Sequence, residues 1–502
     1  MSEMTTTKKV ALTIGTEMLV HTGPSLARIH PLRRAITKKV ENILIDRLDR
    51  VRSTSLFPPG VDEDRALIGL SVLHAAERAM KDNRLSPATR RGLFKILIQK
   101  LMVEGADPAT VGRFEADHKA KPPMFLLISP SKACNLRCIG CYADSDENEK
   151  KINWETFNRL VTEAKTLWGS HFFAISGGEP LAYRSEGKGI LDIAEQHPDC
   201  FFIMYTNGTL INDNVVKRMA QLGNLTPAIS VEGWREKTDA RRGKGVFDKA
   251  VAAMGRLRKA GVLFGVSITP TRQNTEEILS DSFIDFCFQE QGALYGFMFQ
   301  YMPIGRSITL NLMPTPEQRL WMWRRSWELI RERHIFLADF WNHGTLSQGC
   351  LSAGGYSGWG YLYVDWNGNV SPCVFMPYSP VNLHEIYAHG KNLNDLWEVP
   401  FFGGLRNWQK TYRQKQGNWL QPCPIRDHHT EFRRLIAEYE PEPIDENARA
   451  ALLDPDYALG LEEYDAAYQK ISDPIWASHY LQATHSRKDA FRPLPEINNS
   501  KS

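Results

Sequence analysis

The stretch MFLLISPSKACNLRCIGCY, residues 124–142, joins a short apolar run to three cysteines that lie within eight residues of one another. MFLLIS (124–129) has the length and apolar character of a buried parallel strand. Cys134, Cys138 and Cys141 follow that run, so they would lie at the carboxyl end of a sheet, where α/β proteins place their chemistry. The stretch therefore predicts a strand that carries a cysteine-rich loop at its functional end.

The same strand-like pattern recurs downstream, with helical stretches between the apolar runs. This β–α alternation occurs six times in about 180 residues and predicts the α/β class, with a parallel sheet curled into a partial, TIM-like (β/α)6 barrel. The further strands are expected at 171–176, 201–206, 227–231, 263–269 and 295–302, and helices at 154–168, 213–223, 247–261 and 316–335.

Composition changes along the chain suggest four regions. Residues 1–122 are predicted to be mostly helical, and 123–335 to form the β/α core. Residues 336–430 are rich in Gly, Asn and Pro with short strands, which predicts a small α+β domain. Residues 431–502 form an acidic, partly helical extension.

Bulk properties exclude several classes. A net charge of +3 over 502 residues gives no reason to expect a nucleic-acid partner. No apolar run is long enough to span a bilayer and no signal peptide is visible, so the expected location is the cytoplasm. Eight cysteines in such a protein argue for metal binding rather than for disulfides.

Three cysteines, rather than four, suit a particular chemistry. Four thiolates close the coordination shell of a zinc ion or a cluster, whereas three thiolates on a cubane iron–sulfur cluster leave one iron open to another ligand. A zinc knuckle, or three reduced structural thiols, remains the alternative interpretation of the spacing alone.

Further motifs follow at the ends of the predicted strands. With the cysteine loop they are CNLRCIGCY (134–142), SGGEP (176–180), YTNGTL (205–210), ISVEGWREKTDARRGKGVF (229–247) and QYMPIGRS (300–307). Together these motifs give the sequence its resemblance to the radical S-adenosylmethionine (SAM) superfamily over about residues 123–310. The resemblance implies reductive cleavage of SAM at a [4Fe–4S] cluster held by Cys134, Cys138 and Cys141. The resulting 5′-deoxyadenosyl radical would abstract hydrogen from a substrate C–H bond.

The resemblance also implies SAM contacts from SGGEP. Gly177 and Gly178 would let the backbone approach the methionine end of SAM, which chelates the open iron. Glu179 would accept hydrogen bonds from the ammonium group, and Pro180 completes the motif.

The later motifs would contact the rest of SAM. Ser230 and Arg242 would meet its carboxylate or ribose, since a guanidinium offers paired donors. Arg241 is the alternative to Arg242, which directly precedes the Gly as in the family pattern. Asn207 would contact the ribose or the edge of the adenine. A plain turn at Asn207, and an ordinary strand end at Ser230, are the alternative interpretations of these two residues.

One position departs from the family. Many members have an aromatic residue directly before the third cysteine, near the adenine, whereas this chain has Gly140. Tyr142 follows the cysteine and would partly replace that ring, or simply pack in the core.

A second cysteine set, Cys350, Cys373 and Cys423, lies next to Gly or Pro. It resembles the SPASM/Twitch extension of radical SAM enzymes, with Gly368 preceding Cys373 by the pattern's four-residue spacing, and implies one auxiliary [4Fe–4S] cluster. The fourth ligand of this cluster is not identified. Asp427, His428 and His429 are candidates, and the alternative is an iron without a protein ligand that binds substrate. A zinc site or metal-free thiols is the alternative. Cys200 and Cys287 lie in apolar surroundings and are predicted to be buried.

The substrate is left open between a peptide or protein, a small metabolite and a lipid, and the sequence identifies no catalytic acid or base. A small ferredoxin or flavodoxin is the expected electron donor. The basic stretch at 28–50 would permit a weak membrane-surface contact, although a solvated helix face also explains it. The competing hypothesis for the whole chain is a non-catalytic iron–sulfur or zinc protein for electron transfer or binding.

Overall fold

The computed structural model describes residues 30–52, 55–81, 84–93, 107–147, 149–356, 358, 360–482 and 494–495. Within the predicted helical region 1–122, residues 1–29, 53–54, 82–83 and 94–106 lie outside the described residues, as does the predicted extension beyond 482 apart from 494–495. Among the described residues, no helix has the length and apolar character needed to cross a membrane.

Strands and helices alternate through the middle of the chain. The strands are β1 Phe125–Ile128, β2 Phe172–Ile175, β3 Phe201–Thr206, β4 Leu225–Ser230, β5 Gly265–Ile268, β6 Gly296–Met298, β7 Leu337–Asp339, β8 Tyr361–Val364, β9 Asn369–Ser371, β10 Tyr378–Ser379, β11 Val381–Asn382 and β12 Glu442–Pro443.

The helices connect and cover these strands. They are α1 His30–Arg52, α2 Pro59–Lys81, α3 Pro87–Gly92, α4 Pro108–His118, α5 Trp154–Trp168, α6 Ile190–Gln196, α7 Asp213–Leu222, α8 Arg235–Arg242, α9 Val246–Ala260, α10 Thr275–Ile278, α11 Asp281–Asp285, α12 Pro316–Arg333, α13 Gly344–Ser347, α14 Leu383–Ala388, α15 Pro400–Gln414, α16 Pro424–Asp427, α17 His429–Tyr439, α18 Glu446–Leu453 and α19 Pro455–Ile475.

The sheet has the order β11-β9-β8-β1-β2-β3-β4-β5-β6-β7. Neighbouring strands from β1 to β7 are parallel, as are β1 and β8, whereas β9 is antiparallel to both β8 and β11. The six predicted strands correspond to β1–β6, which confirms the α/β class and the partial (β/α)6 barrel. The sequence did not predict β7, a three-residue strand that is too short to give a clear apolar run.

Local sequence signals set the helix ends around this sheet. The side chain of Asn153 caps α5 by accepting a hydrogen bond from the Thr156 amide at 2.8 Å, and Gly169 ends the helix in the left-handed conformation. Thr315 and Gln318 form a capping box at the start of α12. These caps fix where each helix begins, and thereby which residues stand in the loops that follow the strands.

Four strands of the predicted auxiliary region, β7, β8, β9 and β11, join the core sheet, whereas β10 pairs with β12 in a separate two-stranded sheet. β8 extends the sheet beside β1, with Tyr361 opposite Phe125 and Val364 opposite Ile128. In the N-terminal region the described residues form helices α1–α4, and α1 packs along α2. The four region boundaries stay predictions.

Candidate active site

A cavity of about 1020 Å³, including the part that opens to solvent, lies at the carboxyl ends of the parallel strands. Pro180 does not line it, since this residue begins the short turn Pro180–Ala182 that follows Glu179. The predicted residues that line the cavity together are Cys134, Cys138, Cys141, Tyr142, Gly177, Gly178, Glu179, Asn207, Ser230 and Arg242.

The cysteine loop is held in place by a residue from the last motif, at 300–307. The guanidinium of Arg306 donates to Asp144 Oδ1 at 2.9 Å and to the Cys138 carbonyl at 3.1 Å. The Arg306 amide donates to the Cys141 carbonyl at 2.9 Å. The sequence gives Arg306 no visible role in this motif, because its partners, a carboxylate and backbone carbonyls, lie more than 160 positions away.

The two glycines of SGGEP pack against the chain that leads into the cysteine loop. Gly177 has φ +105°, and a Cβ there would lie 2.7 Å from the Ser131 carbonyl oxygen. A Cβ on Gly178 would overlap the Ala133 carbonyl. The amides of Gly178 and Glu179 donate to the carbonyls of Ser131 and Ala133 at 2.9 and 2.8 Å. The close approach predicted toward SAM is therefore made, in this structure, to the cysteine loop itself.

Glu179 is buried and fully engaged by protein donors. Its Oε1 accepts hydrogen bonds from the Leu181 amide at 3.1 Å and the Thr206 hydroxyl at 2.7 Å, and its Oε2 from the Asn207 amide at 2.9 Å. Burial raises the pKa of this carboxyl, and the hydrogen bonds partly oppose that shift. Glu179 thus ties the end of β2 to the end of β3 at the cavity wall.

Asn207 is also tied to the cysteine loop. Its side-chain Nδ2 donates to Asn135 Oδ1 at 3.0 Å, and its Oδ1 accepts from the Thr209 backbone amide at 2.9 Å. Ser230 is the last residue of β4 and is buried at the cavity wall. Both residues therefore occupy the strand-end positions that the sequence predicted, each facing the same cavity.

Arg241 and Arg242 both line the cavity, and both pair with Glu232. Arg241 Nη1 lies 2.7 Å from Glu232 Oε1, and Arg242 Nε donates to the same oxygen at 2.6 Å. Burial alone would lower the pKa of Arg242, but Glu232 and the nearby Cys138 and Cys141 thiols outweigh it and raise that pKa. The Arg242 guanidinium thus lies close enough to the cysteine loop to interact with its thiols. The choice of Arg242 over Arg241 as a SAM contact stays a prediction.

Tyr301 fills the space beside Gly140. A Cβ on Gly140 would lie 2.5 Å from the Tyr301 ring, which is buried and lines the cavity. Tyr142 lines it too, with its hydroxyl 2.6 Å from Ser176 Oγ and accepting the Gly177 amide at 2.9 Å. A ring from the loop after β6 therefore occupies the space beside Gly140, a contact that the order of residues along the chain does not reveal. The replacement of the missing ring by Tyr142 stays a prediction.

The second cysteine set also converges. Cys350, Cys373 and Cys423 line one cavity of about 370 Å³, including its open part, with Trp341 and Phe375 among its walls. Its walls are largely apolar and aromatic. The sequence analysis did not find Trp341 or Phe375, since neither belongs to a motif with a chemical signature.

The three candidate fourth ligands do not line this cavity. Asp427 forms a buried ion pair with Arg319 and accepts the Cys423 amide at 3.0 Å. One ring nitrogen of His428 and one of His429 each form a hydrogen bond with a backbone carbonyl oxygen, at 3.0 and 2.8 Å. The described residues therefore supply three thiols to the second cavity and no carboxylate or imidazole.

The donor sets fit iron–sulfur clusters. Burial raises the pKa of Cys134 to about 12 and that of Cys373 to about 12, so neither thiol would ionise unless a bound cation compensated the charge. Three thiols in each cavity match the three-thiolate ligation of a cubane cluster. By contrast, Cys200 and Cys287 are buried away from both cavities, as predicted.

A parallel partial barrel with three thiols at the carboxyl ends of its strands has the donor set of an iron–sulfur site. The family model described as the Radical SAM superfamily matches residues 128–281. Residues 128–281 therefore match a radical SAM domain, and the cofactors of such a domain are SAM and the [4Fe–4S] cluster that binds it.

Curated relatives carry several names. The chain is 29% identical over 194 residues to Fe-coproporphyrin III synthase of Methanosarcina barkeri, which covers 36% of this chain and 48% of that protein. It is 28% identical over 312 residues to mycofactocin maturase MftC of Mycolicibacterium smegmatis, covering 60% of this chain and 74% of that protein. The AdoMet-dependent heme synthase of Methanosarcina barkeri is 24% identical, and the match covers 55% of this chain and 82% of that protein.

Among solved structures, Streptococcus suis SuiB bound to precursor peptide SuiA aligns with a TM-score of 0.49 and 20% identity, covering 59% of this chain and 70% of that chain. Native anSMEcpe with bound AdoMet and the Cp18Cys peptide aligns with a TM-score of 0.49 and 18% identity, and the alignment covers 71% of this chain and 99% of that chain.

Proposed function

We propose that this enzyme cleaves SAM at a cluster held by Cys134, Cys138 and Cys141, and that the resulting radical abstracts hydrogen from a substrate bound in the same cavity. The observation that carries the proposal is the convergence of three thiols with residues from the ends of β2, β3 and β4 around one cavity. When bound, SAM and the cluster supply the reductive cleavage; the chain orients them and excludes water.

The polar side of the cavity suits SAM. Gly177, Gly178 and Glu179 form its wall beside the cysteine loop, with Arg242 and Ser230 across from them along the sheet edge. We assign the methionine end of SAM to SGGEP and Arg242, and its ribose or adenine to Asn207 and the rings nearby. Pro180 supports this wall through the turn that it begins.

The remaining wall suits an uncharged group of the substrate. Every charged Glu or Arg side chain that lines the cavity has a described protein partner. The other side is formed by aromatic and apolar side chains, including Phe299, Val374 and Phe375. We therefore propose that the reacting part of the substrate is uncharged and largely apolar.

Within that class, a peptide side chain is the first candidate, because the maturase match spans 60% of this chain. A porphyrin-like small molecule is the second candidate, from the names of the synthases, and a lipid is the third. A small ferredoxin or flavodoxin in the cytoplasm is proposed as electron donor. The proposed membrane contact of the basic helix α1 is at most weak, because one face of α1 packs on α2.

We also propose an auxiliary [4Fe–4S] cluster on Cys350, Cys373 and Cys423. The support is their convergence on a second cavity without any carboxylate or imidazole among its described walls. The residues leave one iron without a protein thiolate, as at the first site. A zinc ion would require a fourth protein or water ligand there.

The test is 5′-deoxyadenosine formation by anaerobically reconstituted protein with SAM and a strong reductant. Single Cys→Ala variants at 134, 138 and 141 should abolish it. Variants at 350, 373 and 423 should keep uncoupled cleavage but lose substrate turnover. Cys287→Ala is the matched control, since this thiol is buried outside both cavities and its loss should leave cleavage intact.

Persistence of cleavage in the first set would overturn the cluster assignment. Full turnover by the second set would remove the auxiliary cluster from the reaction. Zinc without acid-labile sulfide in the wild-type protein would favour a metal-binding role in place of catalysis.

A further inference from the structure

Each auxiliary cysteine has its own polar side chain beside the sulfur. The hydroxyl of Ser352 lies 3.1 Å from Cys350 Sγ. Gln409 donates to that hydroxyl oxygen at 3.1 Å, which leaves the Ser352 proton free to point at the sulfur. The Ser352 amide also donates to Cys350 Sγ, at 3.5 Å.

The same arrangement occurs at the second cysteine. The Tyr361 hydroxyl lies 2.9 Å from Cys373 Sγ in a fully buried position. A thiolate that ligates iron carries no proton, so the phenol can only be the donor in this pair. The Phe375 amide adds a second hydrogen bond to Cys373 Sγ at 3.4 Å.

Trp341 is the polar side chain beside the third cysteine, Cys423. Its indole N–H is buried and has no oxygen or nitrogen partner among the described residues. It lies beside the Cys423 thiol and lines the same cavity. A buried indole donor without a partner costs stability unless something in the cavity accepts its hydrogen bond.

We propose that Ser352, Tyr361 and Trp341 each donate a hydrogen bond to one auxiliary thiolate, and thereby hold the auxiliary cluster at a higher reduction potential than the SAM-binding cluster. This inference rests on the auxiliary cluster in the proposed function. Reduction adds negative charge to a cluster, and donors to its sulfurs stabilise that charge, so they raise the potential.

The first site lacks this set of donors. Cys134 Sγ accepts a hydrogen bond from the Leu136 amide at 3.4 Å and a long contact from Asn207 Nδ2 at 3.9 Å. In the described part of the chain, no side chain donates to Cys138 or Cys141. The two sites therefore differ in the number of side-chain donors per thiol, and this difference favours the higher potential at the auxiliary site. The Arg242 charge near Cys138 and Cys141 acts the other way, but Glu232 pairs with it.

Phe375 lies between the two cavities, and burial on the auxiliary side strengthens the hydrogen bonds to the auxiliary thiolates. Its ring lines both of them and lies 4.8 Å from the Trp341 ring and 6.1 Å from the Tyr142 ring, measured between centroids. Cys373 and Cys423 are buried, whereas Cys134, Cys138 and Cys141 are only partly buried. Hydrogen bonds to sulfur in such an enclosed site are screened less than in an open one.

The experiment is a redox titration followed by electron paramagnetic resonance. Full-length protein with Cys134, Cys138 and Cys141 replaced by Ala isolates the auxiliary signal. In that background we compare Tyr361→Phe, Ser352→Ala and Trp341→Phe. Each is expected to lower the equilibrium constant for reduction roughly tenfold, which is about 59 mV for one electron. Tyr363→Phe is the matched control on the same strand, because Tyr363 is not bonded to an auxiliary cysteine, and its midpoint should not move.

Three results would overturn the inference, and they are distinguishable. If the background protein binds a cluster and all three variants keep the wild-type midpoint, the donors do not tune it, while the proposed function stands. If the background protein binds no cluster at all, the auxiliary site of the proposed function is wrong as well. A midpoint below that of the SAM-binding cluster in wild-type protein would also contradict the proposed order.

Discussion

Gly178 lies where two strand-end loops come into contact. Its missing side chain lets the SGGEP turn rest on the Ala133 carbonyl, so the turn and the cysteine loop share one set of hydrogen bonds. A single methyl group there has no room unless backbone moves.

We predict that Gly178→Ala lowers the free energy of unfolding by about 1–3 kcal/mol and weakens SAM binding, because the cysteine loop must shift. Thermal unfolding and calorimetric titration with SAM measure the two effects. Gly255→Ala in α9 is the control: a Cβ there meets nothing within 4 Å, and a helical Ala should stabilise by up to about 1 kcal/mol. Wild-type SAM affinity in Gly178→Ala would contradict the coupling of the two loops.

Tyr301 carries a second residue-scale prediction. Its ring occupies the space that Gly140 leaves, so it should contact the adenine side of SAM. Tyr301→Leu should weaken SAM binding roughly two- to tenfold, the range for losing one aromatic contact, whereas Tyr301→Phe keeps the ring and should bind normally. Equal SAM affinities for the Leu variant and wild type would show that the adenine lies elsewhere.

At the scale of elements, helix α12 is joined to the auxiliary site by a buried ion pair. Arg319 on α12 and Asp427 at the end of α16 are both fully buried, and Arg319 Nη2 also donates to the Leu420 carbonyl at 2.9 Å. The Cys423 amide bonds to Asp427, so this pair positions the segment that carries the third auxiliary thiol.

We predict that Asp427→Asn costs about 3–5 kcal/mol, because it leaves the Arg319 charge buried without its counterion. The control is Asp281→Asn, which breaks exposed pairs with Arg325 and Arg333 and should change stability by less than about 1 kcal/mol. Thermal unfolding midpoints at one scan rate compare the two. Equal midpoints would mean that the buried pair contributes no more than a surface pair.

At the scale of the whole molecule, the auxiliary region completes the central sheet. β8 pairs with β1, the strand that carries the cysteine loop, and β9 and β11 continue from it. Without them the apolar strand Phe125–Ile128 would become an edge with unpaired backbone groups.

We therefore predict that a chain ending at residue 335 aggregates instead of forming an isolated SAM-binding core. Size-exclusion chromatography with light scattering measures the molar mass of the truncated chain, and the full-length protein run under the same conditions is the reference. A monodisperse truncated protein that still binds SAM would show that β1 tolerates an open edge and that the two regions fold independently.

The sequence by itself determined the parallel β/α core and the two cysteine sets. Apolar runs such as FLLI, and cysteines spaced within eight residues, act through neighbours in the chain, so their consequences can be predicted from order and spacing. Only the tertiary structure decided that Tyr301 fills the gap at Gly140 and that Asp427 pairs with Arg319. The same holds for Ser352, Tyr361 and Trp341 beside the auxiliary thiols. These are contacts between side chains brought together by the packing of separate strands and helices, and a single sequence carries no local signal for them.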